Sequence, residues 1–361
     1  MCQKLSLRSS LFPVEMPIMR LRGDWVGQKQ SQRLGGLLFS MHLPKYRISM
    51  QSFTNSNGHK AVAIPRWRSL EQLMLRLRDL WSLWLLSRPL NLLIGGLTLA
   101  LSAYLSDRAA WRFLIDELFW SEAGLTLLIM AGGYWLNDVF DYKIDRINRP
   151  ERTLVGRLIS RKKVLAVYAV LMGGVLAAGL ALPFKFQLVN SAAILTLAVY
   201  AGWFKRRAVV GNVLIAGLAA LVVFTGGLFY HLTWAIFWGM VFAFYSTLLR
   251  EMVKDVEDIQ GDLRYGLRTL PILIGLRASK RVLFPMYSGL VVLCWVPAFE
   301  VWRNTGTWPV GYLLISIPFV QVPLVVGMRA LWRALRPSAY RYQSLLLKGV
   351  MVSGLVSLLG L

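Results

Sequence analysis

From about residue 76 onward the chain is a succession of uncharged stretches of near-spanning length, and few folds accommodate such a chain. The stretches occupy residues 89–105, 123–137, 164–182, 186–204, 208–230, 232–249, 282–299 and 304–328. A bilayer-crossing helix needs about 20 mostly apolar residues. A weaker ninth stretch, 349–361, reaches that length if Lys348 snorkels to the surface. The 123–137 stretch is short, so its helix is expected to continue into the polar text behind it. Hydrocarbon offers the backbone no hydrogen bonds, so spanning segments are helices or closed barrels. Long apolar runs without period-two alternation exclude a barrel. The expected fold is all-α: a polytopic membrane domain over residues 76–361, with nine transmembrane helices around a central cavity. Composition agrees, with 56% hydrophobic residues, 16% charged residues and a mean hydropathy of +0.51, where water-soluble domains carry about 25% charged residues.

The connections alternate in charge. Arg76, Arg78 and Arg88 precede the first stretch, whereas Asp107, Asp116, Glu117 and Glu122 follow it. Eight Lys/Arg lie between Lys143 and Lys163, Lys205-Arg206-Arg207 open a later connection, and residues 250–281 are basic again. The positive-inside rule then puts the N-terminus in the cytoplasm and the C-terminus outside. The net charge of +23 is read as cationic loops against anionic lipid and not as a nucleic-acid surface. Cys2 and Cys294 are too few for a disulfide framework or a four-ligand zinc site, and three histidines leave little for a histidine-centred triad. Residues 1–75 read as a basic, disordered N-terminal extension, a transit peptide or a start set too early, since residues 1–70 hold eleven basic and two acidic side chains.

Nine of the eighteen acids fall in two places: Asp138, Asp141, Asp145 and Glu151, then Glu251, Asp255, Glu257, Asp258 and Asp262. Both clusters contain D-x-x-D-x-x-x-D, beginning at Asp138 and at Asp255. On a helix that spacing puts three carboxylates on one face, here at the cytoplasmic ends of two spans. Taken singly, each acid reads as half of a solvated ion pair worth little. Two matched stripes of like charge repel along their helices and call for a cation. Mg²⁺ takes one or two carboxylates and completes its shell with water and phosphate oxygens. Interleaved Lys143, Arg146, Arg149, Arg152, Lys205, Arg206, Lys254, Arg264 and Arg268 supply the charge a diphosphate-bearing lipid requires.

At 137–152 the text is NDVFDYKIDRINRPER, at 200–212 YAGWFKRRAVVGN and at 250–271 REMVKDVEDIQGDLRYGLRTLP. These three segments, in order and in the right loops, resemble the signatures of the UbiA superfamily of intramembrane prenyltransferases. The resemblance implies a nine-helix bundle with its active site at the cytoplasmic helix ends. It implies Mg²⁺-dependent transfer of a polyprenyl group from an allylic diphosphate to a hydrophobic acceptor. Carried over, Asn137, Asp141 and Asp145, with Asp138 beside them, would hold one Mg²⁺, and Asp255, Asp258 and Asp262 a second. Arg149, Arg152, Lys205, Arg206 and Lys254 would contact diphosphate oxygens, with Tyr200 near the reacting centre. Ala201 stands where many relatives carry Ser, so a hydroxyl role there is absent.

The second motif most resembles the digeranylgeranylglyceryl phosphate synthase branch, which favours a glycerophosphate lipid acceptor. The alternative is an aromatic acceptor of the quinone, tocopherol or chlorophyll type. A transporter would place ionisable groups at mid-span, and here the acids gather at helix ends. The expected setting is a bacterial inner membrane, with a polyprenyl diphosphate, a hydrophobic acceptor and membrane lipid as partners and no nucleic acid. Gly132-Gly133, Gly173-Gly174 and Gly226-Gly227 are expected to be close-packing positions between helices.

Overall fold

The computed structural model describes residues 65–107, 111–204, 207, 209–334 and 337–361. The described chain is helical and contains no extended strand. Twelve helices follow one another: α1 Pro65–Leu86, α2 Pro89–Ser106, α3 Glu117–Asn148, α4 Arg161–Gly179, α5 Phe184–Gly202, α6 Val210–Gly227, α7 Trp234–Glu257, α8 Ile259–Arg264, α9 Leu270–Thr305, α10 Val310–Ser316, α11 Val322–Arg333 and α12 Pro337–Ser357. The extension expected over residues 1–75 lies outside the described residues as far as residue 64, and α1 crosses the proposed boundary at residue 76.

Eight helical segments among the described residues are long and apolar enough to cross a membrane. They are α2, α4, α5, α6, α7, α9, the Val310–Arg333 run and Ala339–Gly360. Their outward faces carry large apolar side chains with no protein cover, such as Val170 at 78% exposure and Leu195 at 64%. An apolar belt on that scale is stable against lipid and not against water. The protein is therefore an integral membrane protein.

Polar punctuation sets the ends. Asp116 caps α3 by accepting from the Leu118 N–H at 2.9 Å, and Thr233 caps α7 through the Ile236 N–H. Between α1 and α2 the chain turns at Arg88, whose φ of 54° is left-handed, and Pro89 opens the next helix. The π-helical turn Ile317–Gln321 joins α10 to α11 where Pro318 and Pro323 withhold backbone N–H groups. As the short 123–137 stretch implied, α3 runs on for 32 residues to Asn148. At 1.5 Å per residue it is about 48 Å long, well beyond a hydrocarbon core of about 30 Å.

α6 and α7 pack together closely, α12 lies along α7, and α2 lies along α6. The main core is built from α7, α9, α11 and α12 around Leu249, Tyr287, Leu324 and Leu347. Helices α2, α3, α5, α6, α7 and α12 surround a cavity of about 290 Å³. Two of the three glycine pairs are close-packing positions. A Cβ at Gly226 would stand 2.4 Å from Ser102 Cβ and 2.8 Å from the Leu99 carbonyl, and one at Gly132 would meet Met172 at 2.6 Å. Gly173 and Gly174 face open space, contrary to expectation, because that side of α4 looks outward. Lys348 does not snorkel. It turns into the cavity and donates to Asn91 Oδ1 at 3.1 Å, where the amide on α2 gives its ammonium a polar partner.

Near the start of α3, fully buried Glu122 accepts from Asn190 on α5 at 2.8 Å and from Thr126 at 3.1 Å. This network ties α3 to α5. Asn190→Leu strips one donor from a buried carboxylate, at a cost of about 1–3 kcal/mol. The expected result is a lower thermal unfolding midpoint in detergent, with Asn190→Asp lowering it further because two acids then meet.

Candidate active site

The two aspartate clusters, more than a hundred residues apart in sequence, face one another at one end of the bundle. Asn148, the last residue of α3, donates to the Asp258 carbonyl at 3.0 Å and accepts from the Gly261 N–H at 2.8 Å. That clip requires glycine at 261, where a Cβ would sit 2.5 Å from the Asn148 amide. Arg149 then reaches across to Asp258 Oδ1 at 3.0 Å and Oδ2 at 3.2 Å, and to Glu257 at 3.3 Å. Burial disfavours the Arg149 charge, but Asp258, Glu257 and Asp145 outweigh it and hold the guanidinium pKa above its ordinary value.

A polar chamber of about 60 Å³ lies between the clusters. Asp141 and Asp145 from α3, Asp255 from α7, and Asp258 and Asp262 from the α7–α8 junction line it, with Glu251, Lys254, Asn212 and Arg207. Asn212 donates to Asp255 at 2.8 Å. Lys254 stands 3.5 Å from Glu251, which also pairs with Arg250. Tyr200, Glu251 and Lys254 line both this chamber and the 290 Å³ cavity, so a charged vestibule adjoins an apolar one.

The expected residues divide into groups. Asp141, Asp145, Asp255, Asp258, Asp262, Lys254 and Tyr200 all line the polar chamber. Asn137 lines the larger cavity. Asp138 lines neither. It sits two turns inward from Asp145, level with the turn before α2, where Arg88 bonds it at 2.6 Å. Arg152 is exposed and away from both spaces. Lys205 and Arg206 lie outside the described residues. The second stripe is not one helix face: α7 ends at Glu257, Asp258 is the cap, and Asp262 rides on α8. Glu251, Asn212 and Arg88 also belong to the site region. The sequence signals for them were Glu251 one turn before the second stripe, Asn212 in its Gly-Asn pair, and an isolated Arg directly before Pro89.

Among the described residues, no three His, Cys, Asp or Glu side chains converge tightly enough to grip a metal alone. Mg²⁺ needs only one or two carboxylates when phosphate oxygens complete its shell. The donor chemistry therefore fits a divalent cation that binds together with a diphosphate. Crowding points the same way. Burial, then Asp258, Asp255 and Asp141, push the Asp262 carboxyl up to about 7. Like charges so placed are relieved by a cation.

Comparison with known proteins agrees with this geometry. The profile of the UbiA prenyltransferase family matches residues 93–345, and the chain belongs to that family. It is accordingly a prenyltransferase. The digeranylgeranylglyceryl phosphate synthase of Sulfurisphaera tokodaii is 37% identical over 203 residues, covering 55% of this chain and 72% of that protein. The same-named protein of Methanoculleus marisnigri is 37% identical over 227 residues, covering 60% and 77%. In fold, a solved structure from work on digeranylgeranylglyceryl phosphate synthase in membranes superposes with a TM-score of 0.59 at 24% identity, covering 78% of this chain and 99% of that one. A UbiA homologue from Archaeoglobus fulgidus, bound to DMAPP and Mg²⁺, gives 0.52 at 19% identity, covering 78% and 100%.

A carboxyl raised to about 7 binds protons more tightly in the folded chain than in the unfolded one. The metal-free protein should therefore lose stability as pH rises from about 4 to 7. A divalent cation must displace that proton. Thermal stabilisation by Mg²⁺ is expected to be larger at pH 8 than at pH 6, and Asp262→Asn is expected to flatten the difference, as differential scanning fluorimetry in detergent would read.

Proposed function

We propose that the chain transfers a polyprenyl group from an allylic diphosphate to the hydroxyl of a glycerophosphate lipid, with Mg²⁺ as cofactor and the polar chamber as the diphosphate site. The observation that carries this reading is the junction of the two spaces: a carboxylate-lined vestibule shares Tyr200, Glu251 and Lys254 with an apolar cavity. An amphiphile with a diphosphate head and an isoprenoid tail matches both halves. The names of the relatives support the choice of acceptor.

In this reading Asn137, Asp141 and Asp145 on one side, and Asp255, Asp258 and Asp262 on the other, hold Mg²⁺ with the diphosphate. Bound there, Mg²⁺ supplies positive charge to the leaving diphosphate oxygens. Lys254 balances charge at the boundary between head and tail, where the C1–O bond breaks. Arg149, Lys205 and Arg206 serve the outer diphosphate oxygens. Arg149 exchanges part of its bonding to Asp258 for a phosphate oxygen. Tyr200, at the junction of the two spaces, offers its ring to the cationic C1 as it separates. The acceptor oxygen then bonds to C1 in place of the broken C1–O bond to diphosphate, and its hydroxyl proton passes to an oxygen of the released diphosphate. The apolar walls of the cavity keep water from taking the acceptor's place.

The long α3 completes a nine-span bundle in this proposal. Its apolar half crosses the bilayer and its acidic half emerges on the cytoplasmic side, where the basic loops lie.

Purified protein in detergent is expected to consume geranylgeranyl diphosphate only in the presence of Mg²⁺ and a glycerophosphate lipid. Asp141→Ala or Asp258→Ala should lower the rate by about 10²–10³-fold or more, the weight of a lost electrostatic stabiliser. Full activity in both variants, or prenylation of aromatic acceptors alone, would overturn the assignment.

A further inference from the structure

The 290 Å³ cavity carries a charge imbalance that the donor site does not use. Its walls include Arg88, Arg250, Lys254 and Lys348, but only one carboxylate, Glu251. Asp138 reaches Arg88 from behind, at 2.6 Å. Glu251 is shared between Arg250 and Lys254. Lys254 also faces the carboxylates of the polar chamber, so the positive charge left on this wall centres on Lys348 and Arg250.

The surplus is localised. Lys348, half-buried on α12, donates to the neutral amide of Asn91 at 3.1 Å, and no carboxylate among the described residues pairs with it. The Nε of Arg250 is buried and has no hydrogen-bond partner. Neither Lys348 nor Arg250 lines the carboxylate chamber, whereas Lys254 lines both spaces. Ionisable groups inside membrane bundles are expensive and are retained where a ligand or pathway uses them. The cavity thus holds Lys348, with no carboxylate partner among the described residues, and Arg250, which pairs with Glu251 through one nitrogen and leaves its buried Nε open, and neither lines the carboxylate chamber.

We propose that Lys348 and Arg250, oriented by Asn91, form a second anion site, which takes the phosphate group of the acceptor lipid while the donor diphosphate occupies the carboxylate chamber. The inference rests on the reading of the acceptor as a glycerophosphate lipid. A phosphomonoester carries a charge of about −1.5 to −2 near neutral pH, which suits an ammonium and a guanidinium on one wall. Lys254 stands between the two sites, so an acceptor anchored at Lys348 and Arg250 lies beside the bond that breaks. An acceptor without the phosphate would leave these cations uncompensated, and the site would discriminate against it.

The test is steady-state kinetics of the full chain in detergent, varying geranylgeranylglyceryl phosphate and geranylgeranyl diphosphate in turn. Lys348→Gln is expected to raise the acceptor KM by about 10–100-fold, the weight of one charge-assisted hydrogen bond, and to leave the donor KM within about twofold. Lys348→Arg should restore most of the acceptor affinity. Asn91→Asp, which gives Lys348 a competing carboxylate without a change of volume, should raise the acceptor KM as well, and it decides the matter if Lys348→Gln does not fold. An unchanged acceptor KM overturns the proposal. So does a donor KM that rises in step, since the surplus charge would then serve the diphosphate. Failure of the underlying acceptor reading is visible separately: the wild-type protein would then form no product from the glycerophosphate lipid and would prenylate another acceptor.

Discussion

Like charge packed at the end of a membrane bundle is the constraint around which this protein is organised. Asp141, Asp145, Asp255, Asp258 and Asp262 share one small chamber, and Asp262 shows the consequence in a carboxyl pushed up to about 7. Such a group is held only where stronger local contacts fix the backbone around it. The Asn148 clip to α8 and the Arg149 bridge to Asp258 do this. Both come from the two residues that end α3, so the same helix supplies one set of carboxylates and the fasteners for the other. The glycine at 261 is part of the device, because any side chain there would push α8 off the Asn148 amide.

The bilayer explains why so much of the fold could be read from the sequence. Segments that face lipid leave little freedom in composition, so seven of the eight uncharged runs fall on spanning helices and the weaker ninth stretch falls on an eighth, Ala339–Gly360, although helices such as Leu270–Thr305 reach well beyond their uncharged part. The length of α3 was legible for a related reason: an apolar run of 123–137 is too short to cross alone, and the polar text behind it had to continue the helix. Local periodicity was less informative about the acidic clusters. Equal spacing suggested two equal stripes, but α7 stops at Glu257 and the second set is carried around a cap. Asp138 has the right register and the wrong neighbour, Arg88, fifty residues earlier in the chain. That ion pair depends on how α2 returns alongside α3, which no spacing within either segment encodes. Gly173-Gly174 fails in the same way, since a small-residue pair has no packing role where no helix lies against it.

The join between the two spaces sets what chemistry is available. A carboxylate chamber alone binds metal and phosphate, and an apolar cavity alone binds isoprenoid. Tyr200, Glu251 and Lys254 belong to both, so in the proposed binding mode the bond between head and tail of an amphiphilic substrate would fall at the boundary. Electrostatic stabilisation is strongest where charge develops next to a region of low dielectric. In the proposed reaction a departing diphosphate would lie on the charged side of that boundary, while the carbon it leaves would face the apolar walls of the cavity. Separation of the two charges is thereby guided by the fold.

The same boundary governs selectivity. An apolar cavity by itself separates substrates weakly, since a methylene more or less is worth only about 1–3 kcal/mol. Charged groups discriminate far better, because a ligand that fails to pair with them leaves them buried and unsatisfied. The cavity of this protein is apolar over most of its wall, yet Lys348 and Arg250 interrupt it on the α12 and α7 side. Lys348 is held by a neutral amide and not by an acid. A carboxylate at position 91 would compete with an anionic ligand for Lys348. Asparagine there fixes the lysine through a neutral hydrogen bond, and in the proposed anion site that leaves the ammonium charge for a ligand.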